Sequence, residues 1–151
     1  MAEGSKKGKL VAMPHAGLWS RPVFRHMDTE QQLTWLYIVT GEHAIGGIPG
    51  LFRLTKGQVL DRVNAEMCGD PSIDNWYIDD LVSRGWIAVD EDVGLMRIPG
   101  VASDVPTHKN ALAIGRMFAK LPASPLVSAH LAELRSVIND PELFRVIVEA
   151  M

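Results

Sequence analysis

Leu33, Leu36, Tyr37 and Thr40 recur at the three- and four-residue spacing of a helix. Trp35, Ile38 and Val39 widen the apolar surface beyond one face, which predicts a central helix. Asp28 is placed to cap it, with Gln31 three residues on as in a capping box, and Gly41 ends it. Ahead of it, Trp19 to Met27 sets apolar residues around Pro22 and predicts an extended or single-turn lead-in. Between Ala44 and Thr55 the breakers Gly46, Gly47, Pro49 and Gly50 interrupt Ile45, Ile48, Leu51, Phe52 and Leu54, a pattern that suits a short strand. Thr55 then caps a second helix from Lys56 to Asn64, with Val59, Leu60 and Val63 inward and Arg62 outward. A third helix begins near Asp70 or Ser72, carries Ile73, Tyr77, Ile78 and Leu81 on its inner stripe, and closes at Gly85, where a left-handed cap is needed. Trp86 to Val89 and Leu95 to Ile98 pair as a hairpin about the acidic turn Asp90 to Gly94.

Helix, short strand, two helices and a hairpin, in that order, are the elements of a winged helix. Beyond Pro99 the period is helical again. Asn110 to Lys120 carries Leu112, Ile114, Met117, Phe118 and Leu121; Leu126 to Val137 carries Leu126, Ala129, Leu131 and Leu134; Glu142 to Glu149 follows the cap pair Asp140 and Pro141. These helices either pack back on the preceding unit or form a dimer arm. The predicted architecture is mainly α with a small β-hairpin wing: a winged helix-turn-helix followed by C-terminal helices. It divides into a flexible basic arm at 1–17, a winged-helix domain at 18–100 and a helical extension at 101–151.

Hydrophobic content of 47% in 151 residues suits one compact domain, or one small domain plus a helical appendage. No window approaches the roughly 18 apolar residues of a membrane span, and Met1 to Lys9 lacks the apolar stretch of a secretory signal, so a cytoplasmic protein without membrane partners is expected. The net charge of −3 is unevenly spread. Residues 1–60 sum to +3, residues 61–100 to −6, and residues 101–151 balance. A phosphate-binding surface should therefore draw on the first third of the chain.

Nothing in the chain has the spacing of an active site. His15, His26, His43, His108 and His130 lie far apart without metal-ligand spacing, and the acidic pairs and triplets match no oxygen-ligand loop. Cys68 is single and cannot form an internal disulfide. The glycines between Ala44 and Thr55 fit neither a phosphate loop nor a dinucleotide fingerprint. No catalysis, metal or cofactor is expected.

Several short segments together resemble the winged-helix domains at the N-termini of phage and prophage replication-initiation, or replisome-organiser, proteins. They are Leu18 and Trp19, the stretch Thr40 to Leu54, Leu81 to Ile87, Ile98 to Val101, His108 to Asn110, and Leu121 to Leu126 with its two prolines. The likeness covers roughly residues 18 to 128 and rests on order and spacing. It implies binding at an origin or fork and recruitment of helicase-loading partners through sequences beyond the winged helix. Here the chain ends soon after the proline-flanked tail, so a separate recruiting domain is expected to be missing or reduced.

Two function classes follow from the charge pattern. For double-stranded DNA the candidate contacts are Lys6, Lys7, Lys9, Arg21, Arg25, Arg53, Lys56 and Arg62, with Ser72, Asn75 and Arg84 as the outward donors of the third helix. Against DNA stand the carboxylates of that helix, since each costs about 1 kcal/mol beside a phosphate in water. The alternative is a protein-interaction module, a homodimer or a binder of a replication or host protein. It would present Asp74, Asp79 and Asp80 of the third helix and Asp90, Glu91 and Asp92 of the wing.

Overall fold

Asp28 opens the first long helix as its sequence predicts: its backbone N–H donates to Gln31 Oε1 at 3.1 Å. The computed structural model describes residues 21–44, 47–63, 76–100 and 109–151. A single turn, α1 (Pro22–Arg25), precedes α2 (Thr29–Thr40), a short 3-10 turn (Glu42–Ala44) and β1 (Leu51–Arg53). There follow α3 (Lys56–Arg62), α4 (Trp76–Ser83), β2 (Ala88–Asp90), β3 (Leu95–Arg97), α5 (Ala111–Ala119), α6 (Pro125–Val137) and α7 (Pro141–Glu149). The described chain is thus mainly helical with one three-stranded antiparallel sheet, ordered β1-β3-β2. The expected start of the third helix at residues 70–75 lies outside the described residues.

Two termini are chemically explicit. Thr55 Oγ1 accepts from the Gln58 N–H at 3.1 Å while Gln58 Oε1 accepts from the Thr55 N–H at 2.9 Å, a complete capping box that starts α3. Gly85, at φ 74°, ends α4: Trp86 N–H reaches Leu81 O and Gly85 N–H reaches Val82 O, both at 3.0 Å.

Strand periodicity gives the sheet two apolar faces. Phe52, Met96 and Val89 are cross-strand partners on one face and join Trp35, Ile38, Val59, Ile78 and Leu81 in the first core. Leu51 and Arg97 are partners on the other face, where Leu51 and Ile48 join Ile114, Phe118, Leu134 and Ile147 in a second core. The C-terminal helices therefore pack back on the sheet, the first of the two arrangements expected for them.

The inward faces depart from expectation where burial is not apolar. α2 buries Gln31, Thr34, Trp35, Ile38 and Val39, leaves Leu33, Leu36 and Tyr37 half-buried, and exposes Thr40. Two polar side chains can occupy that stripe because both are bonded: Thr34 Oγ1 donates to Glu30 O at 2.7 Å and Gln31 Nε2 to Asp80 Oδ2 at 2.8 Å. α5 turns Ala111, Ile114, Gly115 and Phe118 inward and leaves Leu112 exposed. Small residues win that face because α7 crosses α5 at Gly115, where an added Cβ would collide with the Ile147 carbonyl. On α6 the buried pair is His130 and Leu134, with Ala129 exposed.

Candidate nucleic-acid interface

The expected DNA contacts separate into three groups. Lys6, Lys7, Lys9, Ser72 and Asn75 lie outside the described residues, as does Asp74 among the acidic candidates. Lys56, Arg62 and Arg84 are each held by a carboxylate. Lys56 Nζ meets Asp79 at 3.0 Å, Arg62 meets Glu42 at 2.6 Å, and Arg84 meets Asp80 at 2.9 Å while lying 5.0 Å over the Trp86 ring. Arg84 is exposed, as an outward donor would be, and it shares its guanidinium with Asp80 and the Trp86 ring. Asp80 is held below the ordinary carboxylate range, chiefly by the hydrogen bond from Gln31 and then by Arg84. Glu42 is lowered by its own backbone amide and then by Arg62.

The acidic turn is also partly spoken for. Asp90 belongs to β2, and its carboxylate accepts from Ser124 Oγ at 2.6 Å, which corrects its expected place in an exposed wing turn. Period-two alternation explains the correction: Asp90 shares its sheet face with Leu95 and Arg53, the face that α6 and its cap cover. Glu91 accepts from the Lys56 backbone N–H at 3.2 Å, and Asp92 is exposed. The face formed by α3, α4 and the hairpin turn thus carries paired cations and an acidic remainder.

Arg21, Arg25 and Arg53 form the third group, and among the described residues none has a carboxylate partner. They do not converge. Arg53 lines an open depression of about 590 Å³ with Tyr37, Glu42, His43, Gln58 and Arg62. Arg21 lines another with Trp35 and Trp86. Trp35 and Tyr37 are two residues apart on α2, roughly 200° around the helix, so α2 separates the two depressions.

Arg53 has different company from that expected. Its guanidinium donates to the Lys120 carbonyl at the end of α5, joining the β1 edge to that helix. Lys120 and Arg116, one turn earlier, are exposed and lack carboxylate partners among the described residues. The balanced charge of residues 101–151 hides both in a count by segment. Their i, i+4 spacing was the available signal.

A half-buried polar cluster built around the buried His130 lies under the sheet, without a local signal in the sequence. Arg97 meets Glu133 at 2.6 Å and donates from Nε to His130 Nδ1 at 3.3 Å, and His130 Nε2 donates to Pro49 O at 2.9 Å. His130 is fully buried, and burial first, then the Arg97 cation, push its pKa down to about 4. Its lone pair is used internally, so it is a structural histidine. Among the described residues no group of three His, Cys, Asp or Glu side chains is placed to hold a metal ion, and no helix is long and apolar enough to cross a membrane. Compared with protein-family models, curated proteins and solved structures, the chain matches none.

Proposed function

We propose that residues 18–100 form a winged helix in a phage-type DNA-binding protein of replication initiation or its regulation. In this reading it meets duplex phosphates along the edge of Arg53, Arg116 and Lys120 rather than through α4. Element order, the β1-β3-β2 sheet and the family resemblance support the winged-helix assignment. The observation that carries the placement is the contrast between that edge, whose cations lack carboxylates among the described residues, and the α3–α4 face, where Lys56 and Arg84 are neutralised by Asp79 and Asp80. A neutralised cation releases little counterion on meeting DNA, whereas a free one contributes to both affinity and salt dependence.

Fluorescence-anisotropy titration against a mixed-sequence duplex tests this reading. Three phosphate contacts predict a loss of about fortyfold in affinity between about 50 and 200 mM salt. The double variant R116E/K120E should lower affinity about tenfold or more and flatten the salt slope by about two. No duplex binding at the lower salt sinks the proposal; binding that ignores R116E/K120E sinks the placement.

A second reading is favoured by the exposed Glu91 and Asp92 beside the Lys56–Asp79 pair. In that reading the α3–α4 face docks a basic protein partner, and D79N/E91Q/D92N abolishes the complex while leaving DNA affinity untouched.

A further inference from the structure

The depression that Arg53 lines carries more than the cations a duplex phosphate path needs. It holds about 590 Å³, and Tyr37, Glu42, Gln58, Asp61 and Arg62 line it beside Arg53. Its two acids differ. Glu42 is neutralised by Arg62 at 2.6 Å, whereas Asp61 is exposed and has no ion-pair partner among the described residues. Gln58 lies one helical turn before Asp61 on α3 and spends its Oε1 on the Thr55 N–H. Among the described residues its amide nitrogen has no acceptor. α3 therefore gives the depression an unused donor beside an unused acceptor. Tyr37 is half-buried and its ring is held in place. It meets His43 in a T-shaped contact at 5.1 Å, and His43 is itself fixed by Nε2 donating to Ile38 O at 2.6 Å and by a second T-shaped contact with Phe52.

We propose that this depression receives one unpaired nucleobase of a DNA strand whose phosphate lies on Arg53. The proposal rests on the DNA-binding reading and deepens it: the target becomes a duplex with unpaired nucleotides beside it rather than a closed duplex. Arg53 is the link, because it lines the depression and also donates to the Lys120 carbonyl on the phosphate edge. Tyr37 supplies a ring for stacking. The Watson–Crick edge of every base sets an N–H donor beside an acceptor, which Asp61 and Gln58 complement. A free carboxylate beside a phosphate path costs Coulomb energy, and the N–H of a base edge is what Asp61 can accept from in return. The volume lies in the range of small-ligand sites. A paired base reaches such a site only by leaving its stack, so an unpaired one is favoured. An apolar peptide side chain fits less well, since most of the lining is charged or amide and would be desolvated without a partner.

The test is fluorescence anisotropy with the full chain and three labelled probes of one sequence. The first is a blunt duplex, the second carries short deoxycytidine tails on both strands at one end, and the third has abasic tails, which keep the phosphates and lack the bases. Deoxycytidine tails should raise affinity about fivefold over abasic ones. Tyr37→Leu should bring that ratio to about one while the blunt duplex binds as before, and Asp61→Ala should lower it about twofold. Circular dichroism reports the folding of each variant; if Tyr37→Leu does not fold, the two tailed probes and the exposed Asp61→Ala still decide. Equal binding of the two tailed probes, or a ratio that survives either substitution, overturns the proposal and leaves the duplex reading standing. No binding of any probe at about 50 mM salt overturns both.

Discussion

Arg97 on β3 and Glu133 on α6 meet at 2.6 Å with side chains only 12% and 17% exposed. Glu133 also accepts from the Gly100 N–H at 3.0 Å, so one carboxylate fixes both the strand and the turn that leaves it. Arg97 faces α6 because strand alternation puts it on the same side as Leu95, away from Met96 and the first core.

Truncating that pair should be costly. Arg97→Met takes the guanidinium from the half-buried Glu133 and removes the donor to His130 Nδ1, so a loss of about 3 kcal/mol, the low end for a buried pair, is expected. The double variant R97M/E133L should recover most of it, since the desolvated charge goes with its partner. Urea denaturation of the three proteins checks this. A single-variant loss below about 1 kcal/mol would mean the pair behaves like an exposed one.

His130 gives the fold a definite pH dependence. Its pKa is lowered from 6.5 to about 4, so the folded state prefers the neutral ring and the unfolded chain binds more protons between those values. Stability therefore rises with pH through that window: the contribution is complete above about 6.5 and is lost as pH falls towards 4. The span corresponds to about 3 kcal/mol at most. Unfolding free energies at pH 7, 5.5 and 4.5 should converge between the parent and His130→Gln as pH falls, because the variant lacks this term. Parallel curves would show that the imidazole does not titrate with folding.

Much of the architecture was legible because it is written in local signals. Thr55 with Gln58, Gly85, Asp140 before Pro141, and Pro122 and Pro125 mark element ends. The inward faces were less legible. Apolar counting favours Leu112 over Gly115 and Leu33 over Gln31, whereas helix crossing and hydrogen-bond satisfaction, both tertiary, decide the burial. The candidate interface was harder still. A tally of charge by segment cannot show that Lys56 turns to Asp79, or that Arg53 joins Lys120 across 67 positions.

Two glycines separate close packing from conformation. At Gly115 an added Cβ collides with the Ile147 carbonyl and lies 2.6 Å from Ala150 Cβ, so Gly115→Ala must push α7 away from α5. Helix propensity favours alanine by about 1 kcal/mol, yet overpacking of this kind costs about 1–3 kcal/mol, so net destabilisation is expected. At Gly85 a Cβ meets nothing within 4 Å, but φ is 74°. Gly85→Ala should cost about 1–2 kcal/mol through backbone strain alone. Pairing each with Ile147→Ala in thermal melts should show little coupling for Gly85, which is remote from that contact. For Gly115 the obstacle is the Ile147 carbonyl, which the side-chain deletion keeps, so relief should be partial at best.

Charge on the α3–α4 face offers the sharpest division between the two functional readings. Asp79 holds Lys56, while Glu91 and Asp92 stand exposed beside them. If duplex DNA lies along Arg53, Arg116 and Lys120, these carboxylates act on it from a distance, and neutralising them frees Lys56 and removes repulsion. D79N/E91Q/D92N should then bind duplex more tightly, by about fivefold for each 1 kcal/mol of repulsion relieved, with the gain fading above about 150 mM salt as the screening length falls to about 8 Å. A protein-docking role predicts the reverse: unchanged duplex affinity and loss of a basic partner. Tighter, salt-sensitive duplex binding by the triple variant, together with weakened binding by R116E/K120E, would place the phosphate path at the α5 edge and mark the acidic face as its boundary.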